Sequence, residues 1–230
     1  MTRRRGQKAN FRIALSGLLV ALMLVLGYIE SMIPLGTAIP GIKLGLSNGV
    51  LIFAVYMLDI PTAYCLMCLK VLLSGLMFGG VSAIAYAFAG GLLSLTGMCL
   101  LSRIKGVKPM IVSLAGGVLH NVGQVGLAMI ILHTEKLAYY MAILVLVGAA
   151  CGLLTGVCAT AVMKHLKSAG WKTGMGGTGK RGWVMIAAAA ALIIAIGVMG
   201  FKSLQRPAGT QVTLEFSNNI PVATGLPFGK

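Results

Sequence analysis

Two lysines, Lys43 and Lys70, stand in stretches that otherwise carry no charge: PGIKLGLSN at 40–48 and CLKVLLSG at 68–75. Each has a hydroxyl four residues later, Ser47 and Ser74, which shares its face on a helix. Asn48 follows Ser47 and points elsewhere on an ideal helix. A third polar group, LHNVGQ at 119–124, supplies His120, Asn121 and Gln124. His120 and Gln124 share one face, with Gly116 one turn earlier. Tyr86 and Ser82 share a face of another run, and Glu30 is the one acid near its end of the first four runs. Ammonium groups, amides, hydroxyls and a single carboxylate suit a small anionic or polar organic ligand. Pro40-Gly41 would place free N–H groups of a helix start beside that ligand. A clamp that only ties helices together is the competing reading of His120, Asn121 and Gln124.

Other chemistries are excluded by what is missing from the sequence. A proton pump needs a chain of buried carboxylates. Diphosphate chemistry needs an Asp-rich motif for magnesium, and ATP hydrolysis needs a P-loop; neither motif occurs. The expectation is therefore a binding protein rather than an enzyme, with no catalytic residue, cofactor or metal site.

The elements that hold these residues follow from composition. Apolar residues make up 58% of the 230, charged residues only 10%, and the mean hydropathy is +0.94. A soluble fold of this size carries about a quarter charged residues, so the chain reads as an all-α integral membrane protein. A spanning helix needs about 20 apolar residues, and seven runs qualify, at roughly 11–30, 42–58, 61–78, 81–101, 109–132, 138–163 and 182–200. The second and third are short and Gly-rich, so part of 31–50 is expected to be re-entrant or unwound, which a membrane tolerates only inside protein or beside a cavity. A charge at mid-membrane costs about 2.5 kcal/mol or more and marks function by default. Lys70 is too deep to reach the interface, whereas Lys43 has the option of snorkelling.

Three basic groups fix the direction: Arg3, Arg4, Arg5, Lys8 and Arg12; then Arg103, Lys105 and Lys108; then Lys164, Lys167, Lys172, Lys180 and Arg181. With the N-terminus inside, all three are cytoplasmic, as the positive-inside rule requires. The first run, though preceded by arginines, is longer than a signal-peptide core and reads as a retained helix. The net charge of +15 therefore orients helices and implies no nucleic-acid partner. A basic, Gly-rich linker at 166–181 separates a six-helix body, residues 1–165, from a seventh helix at 182–200 that reads as an anchor. Residues 201–230 form a short extracytoplasmic tail, with weak strand character at TQVTLEF.

Small residues permit close helix approach in membranes. They recur as Gly17 and Ala21 with Ala14 a turn earlier, as Ala83, Ala87 and Gly91, and as Gly148, Gly152 and Gly156. The five cysteines sit in apolar runs as small hydrophobes. Cys65 and Cys68 have redox-motif spacing without the soluble context that motif needs.

Four segments together, PGIKLGLSN (40–48), KVLLSGLMFG (70–79), AGGLLSL (89–95) and HNVGQ (120–124), resemble the Gx transporter family, also described as heptaprenyl diphosphate synthase component I. The resemblance covers about residues 11–165. That family is similar to the substrate-binding S components of energy-coupling factor transporters, six-helix proteins of the bacterial plasma membrane. The resemblance implies a transmembrane coupling subunit and two cytoplasmic ATPases as partners, with docking through Ala14, Gly17 and Ala21. It implies a substrate site on Glu30, Lys43, Ser47, Asn48, Lys70, Ser74, Tyr86, His120, Asn121 and Gln124, for a flavin, quinone or isoprenoid precursor. Segments 31–41 and 79–81 are the expected gate. Two other roles fit the same resemblance: a non-catalytic accessory of heptaprenyl diphosphate synthesis, and a structural membrane subunit of a redox complex.

Overall fold

The computed structural model describes residues 2–32, 45–133 and 137–168, with side chains from residue 10 onward, together with scattered positions between 184 and 193. Among the described residues every element is helical and there is no strand. The helices are α1 (Thr2–Met32), α2 (Gly49–Met57), α3 (Ile60–Ser74), α4 (Gly80–Leu101), α5 (Pro109–Leu132) and α6 (Leu137–Ser168). Four helical stretches are long and apolar enough to cross a bilayer: Asn10–Met32, Ile60–Leu101, Pro109–Leu132 and Leu137–Ser168.

The second of these folds back on itself. A π-helical turn, Gly75–Gly79, follows α3. Gly80 then takes φ 74° and ψ −177°, a conformation open only to glycine, and the chain reverses. The pairs that meet across the hairpin confirm the antiparallel sense. Tyr64 hydrogen-bonds Thr96 at 2.8 Å, Gly91 lies against Met67, and Gly75 lies against Ile84.

The start of α3 is capped locally. Asp59 is extended, its carboxylate accepts from the Thr62 N–H at 2.9 Å, and Pro61 occupies the first turn, where its missing N–H costs nothing. Arg12 of α1 donates to the same carboxylate. Burial pushes the Asp59 carboxyl up, but the hydrogen bonds from Thr62 and the Arg12 guanidinium outweigh it and hold it below the usual carboxylate value. A carboxylate with a depressed folded-state value stabilises the fold above its unfolded pKa and loses that contribution as pH falls through the folded one. Asp59→Asn keeps an N-cap acceptor but loses the half-exposed ion pair to Arg12, and is therefore expected to lower the melting temperature at neutral pH by the equivalent of about 0.5 kcal/mol. The difference from wild type should shrink as the pH is taken below about 4; a gap of constant size would rule out the ion pair as its cause.

The sequence placed the second span at 42–58, and the structure shortens it. Gly45 takes φ 89°, so no helix runs through it. A three-residue 3-10 turn, Leu46–Asn48, leads into the nine residues of α2. At about 1.5 Å per residue α2 reaches only about 14 Å, against a hydrocarbon core of about 30 Å. Every residue of α2 except Val50 is buried. A helix apolar on all sides is a core helix, and α2 fills the middle of the bundle with its first turn at mid-depth. Re-entrant or unwound backbone was expected within 31–50; the part described, 45–48, is non-α-helical and, except for partly covered Leu46, buried. Residues 33–44, with Lys43 and most of the expected 31–41 gate, lie outside the described residues.

Glycines set the spacing of α4, α5 and α6. A Cβ on Gly123 would fall 2.8 Å from the Gly90 Cα, and one on Gly117 would fall 2.2 Å from the Gly148 carbonyl oxygen. These backbones touch directly, as small residues in membrane helices allow. Gly148, Gly152 and Gly156 all face α5, as the sequence pattern suggested. On α4 it is Gly90, not the expected Ala83–Ala87–Gly91 row alone, that meets α5, while Gly91 packs on α3. Helix α6 runs to Ser168 and carries Lys164 and Lys167 near its end. On α1, Ala14, Gly17 and Ala21 are exposed, and nothing lies within 4 Å of where a Gly17 Cβ would be.

Candidate functional site

Four of the helices and the turn before α2 converge on one polar cavity. It is lined by Gly27 and Glu30 of α1, Gly45 and Ser47 of the turn, Lys70 and Ser74 of α3, Ala87 of α4, and His120 and Gln124 of α5. Lys70 is 5% exposed and Glu30 2%. An ammonium and a carboxylate so placed survive only with compensation from polar neighbours.

Each charge has such neighbours. Lys70 Nζ donates to Asn48 Oδ1 at 2.9 Å, and Ser47 and Ser74 hydroxyls share its cavity. Glu30 Oε1 accepts from the Gly45 N–H at the entry to the 46–57 helix. That helix start carries partial positive charge from its unpaired N–H groups, which favours a carboxylate. The αL conformation of Gly45 turns its N–H toward α1 rather than along the helix. Gln124 Nε2 lies 2.7 Å from His120 Nε2. With the amide donating, this nitrogen is an acceptor, and in the neutral ring the proton sits on Nδ1, which faces Gly90.

The cavity is nearly full. Its free volume is ≈ 10 Å³, room for a single water. A neighbouring void behind it, between Asn48, Met98, Ser113, Gly116 and Thr155, admits no water at all. A ligand of more than one heavy atom therefore enters only when a wall moves. Tyr28 and Phe78 meet at the Glu30 end, ring centroids 5.3 Å apart and tilted 47°, joining α1 to the π-helical turn.

The sequence-derived residues divide into five groups. Glu30, Ser47, Lys70, Ser74, His120 and Gln124 come together on the cavity. Asn48 stands behind it and orients Lys70; its Nδ2 has no partner among the described residues. Its direction differs from that on an ideal helix because the backbone before α2 is a 3-10 turn. Asn121 points the other way, donating to the Leu144 carbonyl of α6 at 2.7 Å, and serves as the interhelical clamp. Tyr86 packs in a separate apolar cluster with Val125, Ala128, Leu137 and Leu144, and Ser82 is exposed, so neither reaches the cavity. Lys43 is outside the described residues.

Sequence reasoning missed Gly45, whose N–H holds Glu30 and whose Cα packs on the His120 ring. The signal was available as a glycine directly before Leu-Ser-Asn in a segment already expected to be unwound. It also missed the hydroxyls that tie helices together, such as Ser94, which donates to the Gly116 carbonyl at 2.8 Å. Among the described residues no three His, Cys, Asp or Glu side chains converge as a metal site requires.

A comparison with family models finds heptaprenyl diphosphate synthase component I over residues 19–162. No curated protein and no solved structure matches the chain. The matched stretch runs from α1 into α6 and contains every residue that lines the cavity. It covers well over half of the 230 residues, and the chain belongs to the heptaprenyl diphosphate synthase component I family.

Proposed function

We propose that the protein is the membrane-embedded substrate-binding subunit of an importer, similar to the S components of energy-coupling factor transporters. The observation that carries this reading is the burial of Lys70, Glu30, His120 and Gln124 around one cavity. Charged groups are retained at such depth for a purpose, and helix packing alone is served by Asn121, Ser94 and the glycines. The ligand is a small polar or anionic organic compound, in the class of a flavin, quinone or isoprenoid precursor. Lys70, Ser47 and Ser74 would hold its anionic or carbonyl oxygens, and His120 with Gln124 would hold a polar edge.

The starts of α1 and α5 and the ends of α4 and α6 lie at one end of the bundle and carry basic residues, and the start of α3 lies there with Asp59 held by Arg12. That grouping supports a cytoplasmic N-terminus, with the cavity opening outward past Glu30 through the 31–41 segment and the 79–81 turn. The exposed Ala14–Gly17–Ala21 face supports docking on a transmembrane coupling subunit, with ATP energy entering through cytoplasmic ATPases. The chain itself performs no catalysis.

Mass spectrometry of the protein purified in detergent is the direct test. The expected result is a bound organic compound in sub-stoichiometric or greater amount, present in wild type and absent from His120→Ala. Folded protein that carries no compound and binds none from an extract would sink the reading. The family's description favours a second one, an accessory of prenyl diphosphate synthesis. It predicts that a soluble synthase co-purifies and that deleting this chain alters prenyl chain length, neither of which the importer reading predicts.

A further inference from the structure

Beyond the family match, the described positions between 184 and 193 fall on two sides that differ. Positions 184, 186, 187, 189, 191 and 193 are helical. Ile186 is 3% exposed and Ala189 7%, whereas Val184 is 65% exposed; Ala187 and Ala191 are exposed as well. Positions 186, 189 and 193 recur at the three- and four-residue spacing of one helix face, and 184, 187 and 191 lie on the opposite one. Ile186 and Ala189 belong to the same apolar cluster as the core of the bundle. Ile193 closes one side of an apolar hollow of ≈ 160 Å³ whose floor is Ala89 and Leu93 of α4 with Val122, Gly126 and Ile130 of α5.

The receiving face is suited to a helix. Residues 122, 126 and 130 form a row along α5, and 89 and 93 form one along α4, with the groove between them deepened by glycine. A Cβ on Gly126 would meet nothing within 4 Å. None of the five floor residues is exposed, unlike Leu76, Val81, Tyr139 and Leu146, which are 71–85% exposed. Residues 169–181 can span up to about 3.3–3.6 Å each, long enough to reach this face from the end of α6.

We infer that Ile186, Ala189 and Ile193 face inward and dock this stretch in cis on the α4–α5 face, rather than leaving it a free anchor. The stretch braces the seam from outside. On the inner side of that seam Gly90 backs His120 and Gln124. It also occupies a face that a partner subunit would otherwise use.

Crosslinking with a short bismaleimide in membranes tests this in the full chain with its five cysteines replaced by alanine and a protease site inserted at 169–181. Crosslinking of the Gly126→Cys/Ile193→Cys pair across the hollow is expected to keep body and tail together after cleavage, at least ten times more than Gly126→Cys/Ala191→Cys. Equal trapping of both pairs, or of neither, overturns the docking. So does trapping only between a body-tagged and a tail-tagged chain, which would place the helix on a second copy. In the native-cysteine background, Ala189→Trp should lower the melting temperature while Ala187→Trp leaves it unchanged. Equal effects there also overturn it, whether or not the cysteine-free chain folds.

Discussion

Lys70→Met should reduce ligand affinity at least 100-fold, about 2.7 kcal/mol at 1.36 kcal/mol per decade, and lower stability as well. Methionine fills the volume of the lysine stem but removes the Nζ donor to Asn48 Oδ1. It also leaves the Glu30 carboxylate with one cation fewer in its cavity. Breaking a buried charged set by removing one member costs about 3–5 kcal/mol. Loss of fold and loss of recognition therefore need separating. The double variant Glu30→Gln/Lys70→Met removes both charges and is expected to regain most of the stability, because two neutral side chains of matched size need no compensation. Its ligand affinity should stay as low as that of the single variant. Thermal unfolding in detergent and ligand titration, run on the same preparations, check both halves. Recovery of affinity along with stability would mean that Lys70 acts only in packing, and the importer reading would fall.

The same cavity shows how far the sequence reaches. Lys70 was legible because a charge inside twenty apolar residues has no cheap explanation. Gln124 followed from helical spacing to His120, and the structure puts both on the cavity with a direct hydrogen bond. The all-helical architecture and the limits of α5, Pro109–Leu132, followed from apolar length and from a proline that can start a helix. Tyr86 was not legible. Its face on α4 is shared with Ser82, but which neighbour covers that face depends on how α4 rotates, and the glycine contacts of Gly90 and Gly91 set the rotation. Asn121 had two open readings, and the approach of α6 through Gly148 decided for the clamp. The second span was started too early, four residues before the 3-10 turn at Leu46 and seven before α2, because apolar content says nothing about φ. Gly45 reads as one more small residue until its left-handed backbone is seen.

Gly45→Ala is the second large effect, and its size should come from two additive causes that can be told apart. An L-residue in the left-handed region costs roughly 1–2 kcal/mol. A Cβ at Gly45 would also fall 2.7 Å from Cδ2 of His120. That ring is buried and held by Gln124, so it cannot swing away; overpacking of this kind adds about 1–3 kcal/mol. Gly106, in the α4–α5 loop, has the same φ of 89° and nothing within 4 Å of a Cβ. Gly106→Ala should therefore show the backbone cost alone. Denaturant or thermal unfolding is expected to rank wild type above Gly106→Ala, and Gly106→Ala above Gly45→Ala. Adding His120→Ala to Gly45→Ala should cost less than His120→Ala costs by itself, since the ring being removed is the one that clashes. Equal losses for the two glycine variants would mean that the first turn of the central helix is not seated against His120. The Glu30 contact to the Gly45 N–H and the Lys70 contact to Asn48 both require that turn to be in place, so the cavity itself depends on this ranking.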